Sequence, residues 1–347
     1  MNDARLAAIP TLVRIKPGAL ARIGVYCHRH GFRTASLWVS EGLDTRIVGQ
    51  AIQSLGHHGI PVVEQCEVTT IDQVTIEQMS SADGGDILIG LGGGKAIDAA
   101  KLAAHRRGRP FLAIPTSLSN DGFGSPQASI LVEGRRRSVP ATMPFGVVVD
   151  TAVCLGAPDI LWLSGVGDLS AKFTAIADWK LAFHETGEPV DDFAALMADG
   201  TFYQLLARPE HDLEGVRLLA SALLLSGIAM SICGSSRPAS GSEHLISHAF
   251  DLIATRPRLH GLQVGLATAI CARLQGRDTS DLDCLFERTG FWDALRREPF
   301  PTAEWLEACR IAPTLKENFH TILSTRDRLP EIEEMITTDP VFDAVFA

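Results

Sequence analysis

The chain has 347 residues, 46% of them hydrophobic and 21% charged, with a net charge of −10. That length suits two domains of roughly 150 residues each, and that composition excludes long disordered tracts. The acidic balance argues against a nucleic-acid partner, since phosphate backbones need clustered Lys and Arg; the one dense basic run, Arg135-Arg136-Arg137, reads as a solvated turn.

From the N-terminus onward, short apolar runs alternate with amphipathic stretches, as repeated βα units do. Ala35–Val39 reads as a strand and Thr45–Leu55 as the helix after it. Ile60–Glu64, Asp86–Gly90, Phe111–Pro115 and Gly146–Asp150 read as further strands, the third of these runs stopping at a proline. Such alternation predicts a largely parallel, doubly wound, Rossmann-like sheet. After Asp150 the pattern changes to Leu-, Ala- and Ser-rich stretches at helical spacing, over 158–187, 190–208, 212–233 and 242–254. We therefore expect an α/β domain over 1–153 and an all-α domain over 154–347, the boundary falling near Thr151–Pro158. Leu218–Cys233 is uncharged and close to the minimum of about 17 residues for a membrane span. Ser221, Ser226, Gly227 and Ser231 dilute it, so it reads as a buried core helix and no membrane is expected as partner. Seven scattered cysteines, never spaced C-x-x-C, and no apolar leader segment point to a reducing compartment, the cytoplasm.

The Asp86–Gly90 strand runs into Gly90-Leu91-Gly92-Gly93-Gly94-Lys95-Ala96-Ile97-Asp98, which opens a helix reaching about His105. Glycines there let a backbone approach a ligand, and a helix start offers free N–H groups to a pyrophosphate. The alternative is a tight turn with no ligand. Gly94-Lys95 is followed by Ala96 rather than Ser or Thr, so this is not a Walker loop, and the spacing is G-x-G-G-G rather than G-x-G-x-x-G. Glu41, just past the first strand, reads either as an acceptor for an adenosine ribose or as plain surface. Pro115 through Pro126 (PTSLSNDGFGSP) follows a strand end and offers hydroxyls and a carboxylate to a polyol, or forms an ordinary polar turn.

In the second half, Asp168 lies in S-G-V-G-D, read as the glycine-flanked start of a helix continuing through Trp179. His244 and His248 follow in G-S-E-H-L-I-S-H, and His260 comes after a proline-containing loop. One carboxylate and two imidazoles suit a catalytic divalent metal. Spacing alone leaves ligation and a capping or core role equally open for these histidines.

Taken in order, GLGGGKAIDAAK (90–101), PTSLSNDGFGSP (115–126), SGVGDLSAKFTAIADWKLA (164–182), SRPASGSEHLISHAFD (236–251) and HGLQVGLATA (260–269) resemble the iron-containing alcohol dehydrogenase and dehydroquinate synthase superfamily. Within it the likeness is to the sn-glycerol-1-phosphate dehydrogenases. The resemblance implies a dehydroquinate synthase-like fold and NAD(P)H bound across Gly92, Gly93, Gly94, Lys95 and Asp98. Thr116, Ser117, Ser119 and Ser125 would lie beside the nicotinamide end. It implies one divalent ion on Asp168, His244 and His260, Zn²⁺ first, with Fe²⁺ or Ni²⁺ as alternatives. The reaction implied is reversible reduction of dihydroxyacetone phosphate to sn-glycerol 1-phosphate. Asp121 or His248 would serve the proton, and Lys172 and Arg237 would meet the phosphate, with pairing to Asp168 at i, i+4 as the alternative for Lys172. Relatives carry Arg-Tyr-Thr-Ile-Leu near the C-terminus where this chain has Phe319-His320-Thr321-Ile322-Leu323. That difference keeps a glycerol dehydrogenase-like enzyme of an unphosphorylated polyol in view, with a dehydroquinate synthase-like lyase behind it. The partners expected are a small-molecule substrate and further copies of the chain.

Overall fold

The structure is a computed structural model that describes residues 7–80 and 84–347. Its strands are β1 (Leu12–Lys16), β2 (Ala35–Ser40), β3 (Val62–Val68), β4 (Ile87–Gly92), β5 (Phe111–Pro115), β6 (Gln127–Val132), β7 (Arg135–Pro140) and β8 (Gly146–Asp150). Six of them form a sheet in the order β1-β8-β5-β4-β2-β3, every pair parallel. Strands β4, β5 and β8 are buried along their whole length, which is why they read as unbroken apolar runs. The chain moves outward from β2 to β3 and then returns to the other side of β2 with β4, so the order reverses at β2 and β4. Ligands of doubly wound sheets bind outside the strand ends at such a point.

Helices α1 (Ile23–Arg29), α2 (Thr45–Gly56), α3 (Gln73–Met79), α4 (Gly94–Arg107) and α5 (Thr151–Leu155) accompany the sheet. One core cluster joins Leu37, Val39, Ile89 and Leu91 of the sheet to Ile23 and Tyr26 of α1 and Ala51 and Leu55 of α2. The remaining helices are α6 (Asp159–Ser170), α7 (Lys172–Thr186), α8 (Asp192–Ala207), α9 (Leu213–Cys233), α10 (Ser242–Ile253), α11 (His260–Leu274), α12 (Ser280–Thr289), α13 (Phe291–Arg297), α14 (Thr302–Ile311) and α15 (Leu329–Thr338).

The expected fold class stands, with four differences in detail. The third strand begins at Val62 rather than Ile60, and its alternating burial marks it as an edge strand covered on one face. Strand β1 was not foreseen, because L-V-R-I-K is short and mixes basic with apolar residues; pairing with β8 makes it a strand. The Arg135 run is no turn. It is β7, paired antiparallel with β6, and the turn lies before it at Glu133 and Gly134, with φ of 52° and 74° as a two-residue hairpin requires. The exposure expected of those arginines holds, but charge pattern says nothing of which backbone pairs with which.

The fourth difference concerns domain limits. One compact unit runs to Ala157 and also takes Asp212–Ile232; the other comprises Pro158–His211 and Cys233–Ala347. Helix α9, expected in the second domain, thus packs with the first. The Ser226 hydroxyl donates to Asp121 Oδ2 at 2.7 Å, fixing α9 to the loop after β5. Its length and mean hydropathy of 1.9 would suffice for a membrane span, yet 61% of that window is buried inside the protein.

Candidate functional site

In the first unit the site begins where β4 ends. Gly92 has φ of 146°, and a Cβ there would fall 2.1 Å from Ser40 Oγ at the end of β2, so both conformation and space demand glycine. The Gly93 N–H donates to Ser40 Oγ at 3.0 Å, locking the loop onto the neighbouring strand. Helix α4 then starts at Gly94 with no side chain capping its first turn. Its N–H groups and positive dipole end are left for an anion such as a pyrophosphate. Gly93 and Gly94 are half-buried, Lys95 is exposed, and Glu41 is exposed just past β2.

The polar loop after β5 lies against this turn. The Thr116 N–H donates to the Gly92 carbonyl at 3.0 Å, and Asn120 Oδ1 accepts from the Gly122 N–H. Ser117 and Ser119 are half-buried, and Ser125 is buried with its hydroxyl facing the Gln127 carbonyl. Asp98 turns to a different partner from the one the sequence suggested. It pairs at 3.3 Å with the wholly buried Lys101, whose ammonium also donates to the Gly122 and Gln127 carbonyls. Burial pushes the Asp98 carboxyl up and the Lys101 ammonium down, each opposed by the other's charge. This pair holds the 122–127 segment on α4. Asp121 is half-buried and receives Ser226.

In the second unit, Asp168, His244 and His260 converge, their ligand atoms all within 4.8 Å of one another. Asp168 Oδ1 lies 3.8 Å from His244 Nε2 and 3.6 Å from His260 Nε2. Asp168 does not open a helix as expected; it occupies the last turn of α6, which ends where the Ser170 hydroxyl donates to the Gly167 carbonyl. His244 stands in the first turn of α10, and His260 is the first residue of α11. Glycine makes the meeting of α6 and α11 possible: a Cβ on Gly261 would lie 1.7 Å from the Ser164 carbonyl oxygen, and one on Gly167 2.0 Å from that of Gly261.

Both imidazoles are oriented from behind. His244 Nδ1 lies 3.0 Å from Glu243 Oε1, and His260 Nδ1 lies 3.2 Å from Ser247 Oγ. With Nδ1 engaged outward, each Nε2 faces Asp168, the arrangement of a ligand histidine with an outer partner. Bonds of about 2.1 Å to a tetrahedral ion set ligand atoms about 3.4 Å apart, and both Asp168–histidine separations lie within a few tenths of an ångström of that spacing. Glu243 is fully buried and also accepts from Thr174 Oγ1 and the Gly241 N–H. Burial works to raise its carboxyl, but the bond and charge of His244, with the other donors, leave it below the ordinary glutamate range. Behind it Asp178 accepts from the Ser242 and Ile322 N–H groups and from Gln275, and burial followed by the Glu243 charge pushes it up to about 6. His248 stacks on His260 with ring centroids 5.9 Å apart. Lys172 is buried, and its ammonium donates to the Asp168 backbone carbonyl at 3.1 Å.

The same unit holds a cavity of about 710 Å³ lined by Thr186, Glu188, Lys316, Asn318, Phe319 and His320, among others. Arg237 is not free to meet a ligand as expected: it is buried, forks onto Glu188, and donates to the His320 carbonyl. The Phe319 ring carries two cations, the Arg237 guanidinium carbon and the Lys316 ammonium each 3.7 Å from its centroid. Burial, then the Arg237 charge, pushes Lys316 down to about 8. His320 Nε2 is buried without a hydrogen-bond partner. Sequence reasoning missed Lys316, which no motif marks, and Glu243, although a carboxylate directly before a ligand histidine was a readable signal.

Residues 14–158 match the iron-containing alcohol dehydrogenase family. The chain is 36% identical to the glycerol-1-phosphate dehydrogenase [NAD(P)+] of Methanothermobacter thermautotrophicus, over 96% of this chain and all of the other. It is 40% identical to that of Pyrococcus furiosus over 70% of each chain. Among solved structures, a glycerol dehydrogenase from Schizosaccharomyces pombe matches with a TM-score of 0.76 at 19% identity, over 98% of this chain and 91% of the other. The iron-containing alcohol dehydrogenase of Thermotoga maritima matches with a TM-score of 0.68 at 17% identity, over 95% and 98%. Uncapped glycine turn, polar loop and histidine–carboxylate cluster thus occur in a chain that is similar along almost its whole length to one set of enzymes, and the chain belongs to the glycerol-1-phosphate dehydrogenase family.

Proposed function

We propose that the chain is a metal-dependent dehydrogenase that interconverts dihydroxyacetone phosphate and sn-glycerol 1-phosphate with NAD(P)H. The observation that carries this is the Asp168–His244–His260 cluster, whose two imidazoles are each held by an outer partner with Nε2 turned to the carboxylate. These three residues would hold the ion. Two imidazoles and one carboxylate suit Zn²⁺ first, and Fe²⁺ or Ni²⁺ next. When bound, the ion supplies Lewis-acid polarisation of the substrate carbonyl and the reduced nicotinamide supplies the hydride.

The chain's own residues do the rest. The free N–H groups at Gly94 and Lys95 bind the pyrophosphate of the nucleotide. Glu41 is assigned to the ribose, and Thr116, Ser117 and Ser119 to the nicotinamide side. Asp98, through Lys101, and Ser125 hold that loop in shape. Lys172 positions Asp168 through its backbone carbonyl. His248, stacked on His260, is assigned to proton exchange at the alcohol oxygen, with Asp121 as the acidic group towards the hydroxyls. Lys316 and the unpartnered His320 Nε2 offer a phosphate its charge and a hydrogen bond. They stand in for the arginine that relatives carry where this chain has Phe319. Seven free cysteines suit a reducing cytoplasm.

The test is NADH or NADPH oxidation with dihydroxyacetone phosphate against dihydroxyacetone, before and after metal removal. The phosphorylated substrate is expected to win by orders of magnitude, with activity lost in metal-free protein and in Asp168→Asn with His244→Ala. Equal rates for the two substrates would overturn the phosphate assignment, and an active double variant would overturn the metal centre.

A further inference from the structure

Asp178 is a wholly buried carboxylate in the middle of α7, and among the described residues it meets no cation. The charge it feels is of its own sign, that of Glu243. Burial of an unpaired carboxylate costs stability, so its place is explained by what its oxygens hold. They take three donors from three elements. Oδ2 accepts from the Ser242 N–H at 2.7 Å, and Ser242 is the first residue of α10, two before His244. Oδ1 accepts from Gln275 Nε2 at 3.0 Å, where Gln275 caps the end of α11, the helix that His260 opens. Oδ1 also accepts from the Ile322 N–H at 2.8 Å. Ile322 opens the 3-10 turn Ile322–Ser324, and His320 and Ser324 on either side of it line the cavity of about 710 Å³.

The rest of α7 has the same orientation. Lys172 at its start donates to the Asp168 carbonyl. Thr174, one helical turn before Asp178 on the same face, donates to Glu243. Thr186 at its end lines the cavity. Arg237 closes the lacing from the other side, since it lies in the segment entering α10 and donates to the His320 carbonyl. Residues 237–242 and 320–322 are thus tied twice, once by a guanidinium on a carbonyl and once by a carboxylate on two N–H groups. An apolar side chain would fill the space of Asp178 but could not fix the direction of either N–H, which a satisfied buried polar network does.

On the reading that the cavity takes the substrate phosphate and the Asp168–His244–His260 cluster takes the metal, we propose that Asp178 is a positioning residue for both. It sets the start of α10, and with it His244, and it sets the His320 side of the cavity. One fixed carboxylate thereby holds the two ends of the substrate site at a constant separation.

Three substitutions separate its parts. Ile322→Pro removes only the N–H on the cavity side, at the first position of a helical turn where proline is favoured; Thr321 before it is already extended, with φ of −145°. Ser242→Pro does the same on the metal side, at the first position of α10 behind Gly241. Asp178→Asn keeps the shape and replaces one acceptor oxygen by a donor. For each, Zn²⁺ affinity is measured by chelator competition, and KM and kcat of the loaded enzyme with dihydroxyacetone phosphate and with dihydroxyacetone. Ile322→Pro should raise KM for the phosphorylated ketone about tenfold, the size of one lost hydrogen bond, and leave kcat and Zn²⁺ affinity unchanged. Ser242→Pro should weaken Zn²⁺ binding by a similar factor and keep the ratio of the two KM values. Asp178→Asn should do both.

Circular dichroism melts verify that each variant folds; where Asp178→Asn does not, the proline pair decides. A wild-type enzyme with equal KM for the two ketones overturns the reading of the cavity and the positioning role with it. A wild type that prefers the phosphate, beside a folded Asp178→Asn that keeps both Zn²⁺ affinity and KM ratio, overturns the positioning role alone. So do proline variants that each move both readings together, or the loss of fold in all three, since either result makes Asp178 a residue of general stability.

Discussion

Glu243 lies behind the Asp168–His244–His260 cluster, and the orientation of His244 rests on it. Its Oε1 takes the Nδ1–H, and Thr174 and the Gly241 N–H fix the carboxylate itself. Glu243→Gln keeps the shape and removes the charge, so the variant should fold while its metal affinity falls about 10- to 100-fold. A chromophoric-chelator competition measures this directly, and an unchanged affinity would leave Glu243 a packing residue. Lys316 gives a second prediction of the same kind. Its ammonium, held near 8 by burial, is charged below that pH and neutral above it. The KM for dihydroxyacetone phosphate should therefore climb as pH rises from 7 to 9. Lys316→Met should raise that KM roughly 10- to 100-fold at pH 7, the range of a lost hydrogen bond to a charged group. It should flatten the pH dependence and leave turnover of dihydroxyacetone almost unaltered.

At the scale of elements, the proposed metal centre depends on how closely α6 and α11 approach. Asp168 and His260 belong to different helices, and the Gly167 and Gly261 backbones touch where no side chain fits. Gly261→Ala must push the helices apart, because the obstacle is a carbonyl oxygen rather than a yielding side chain. It should cost about 1–3 kcal/mol of stability, typical of overpacking, and weaken metal binding even though no ligand has changed. Thermal unfolding and metal titration of the same sample check both; a normal metal affinity would show that the triad does not need this contact. Helix α4 shows the same dependence in the first unit. Its uncapped start is shaped by Gly92, which turns β4 under Ser40, and by Thr116, which returns to the Gly92 carbonyl.

For the molecule as a whole, bound metal should act as a staple across α6, α10 and α11. A ligand present at 100 times its Kd stabilises the folded state by about 2.7 kcal/mol. Chelation should thus lower the Tm of the wild-type protein by a few degrees and leave Asp168→Asn unmoved; equal shifts in both would mean the effect arises elsewhere.

Much of this molecule was legible in one dimension. Apolar runs announced the buried strands β4, β5 and β8, because a strand covered on both faces has no polar positions to interrupt it. The glycine turn and the order of the motifs named the family, since backbone close to a ligand tolerates few residue types. Tertiary structure decided what depends on partners far away in sequence. Packing decided that α9 joins the first unit, that Asp98 faces Lys101, and that Arg237 is spent on Glu188. Of the candidate histidines, geometry set His244 and His260 with Nε2 towards Asp168 and left His248 stacked behind. Periodicity reports which side of an element is apolar; it holds no record of what that side will meet, and the cavity at Lys316 is of that kind.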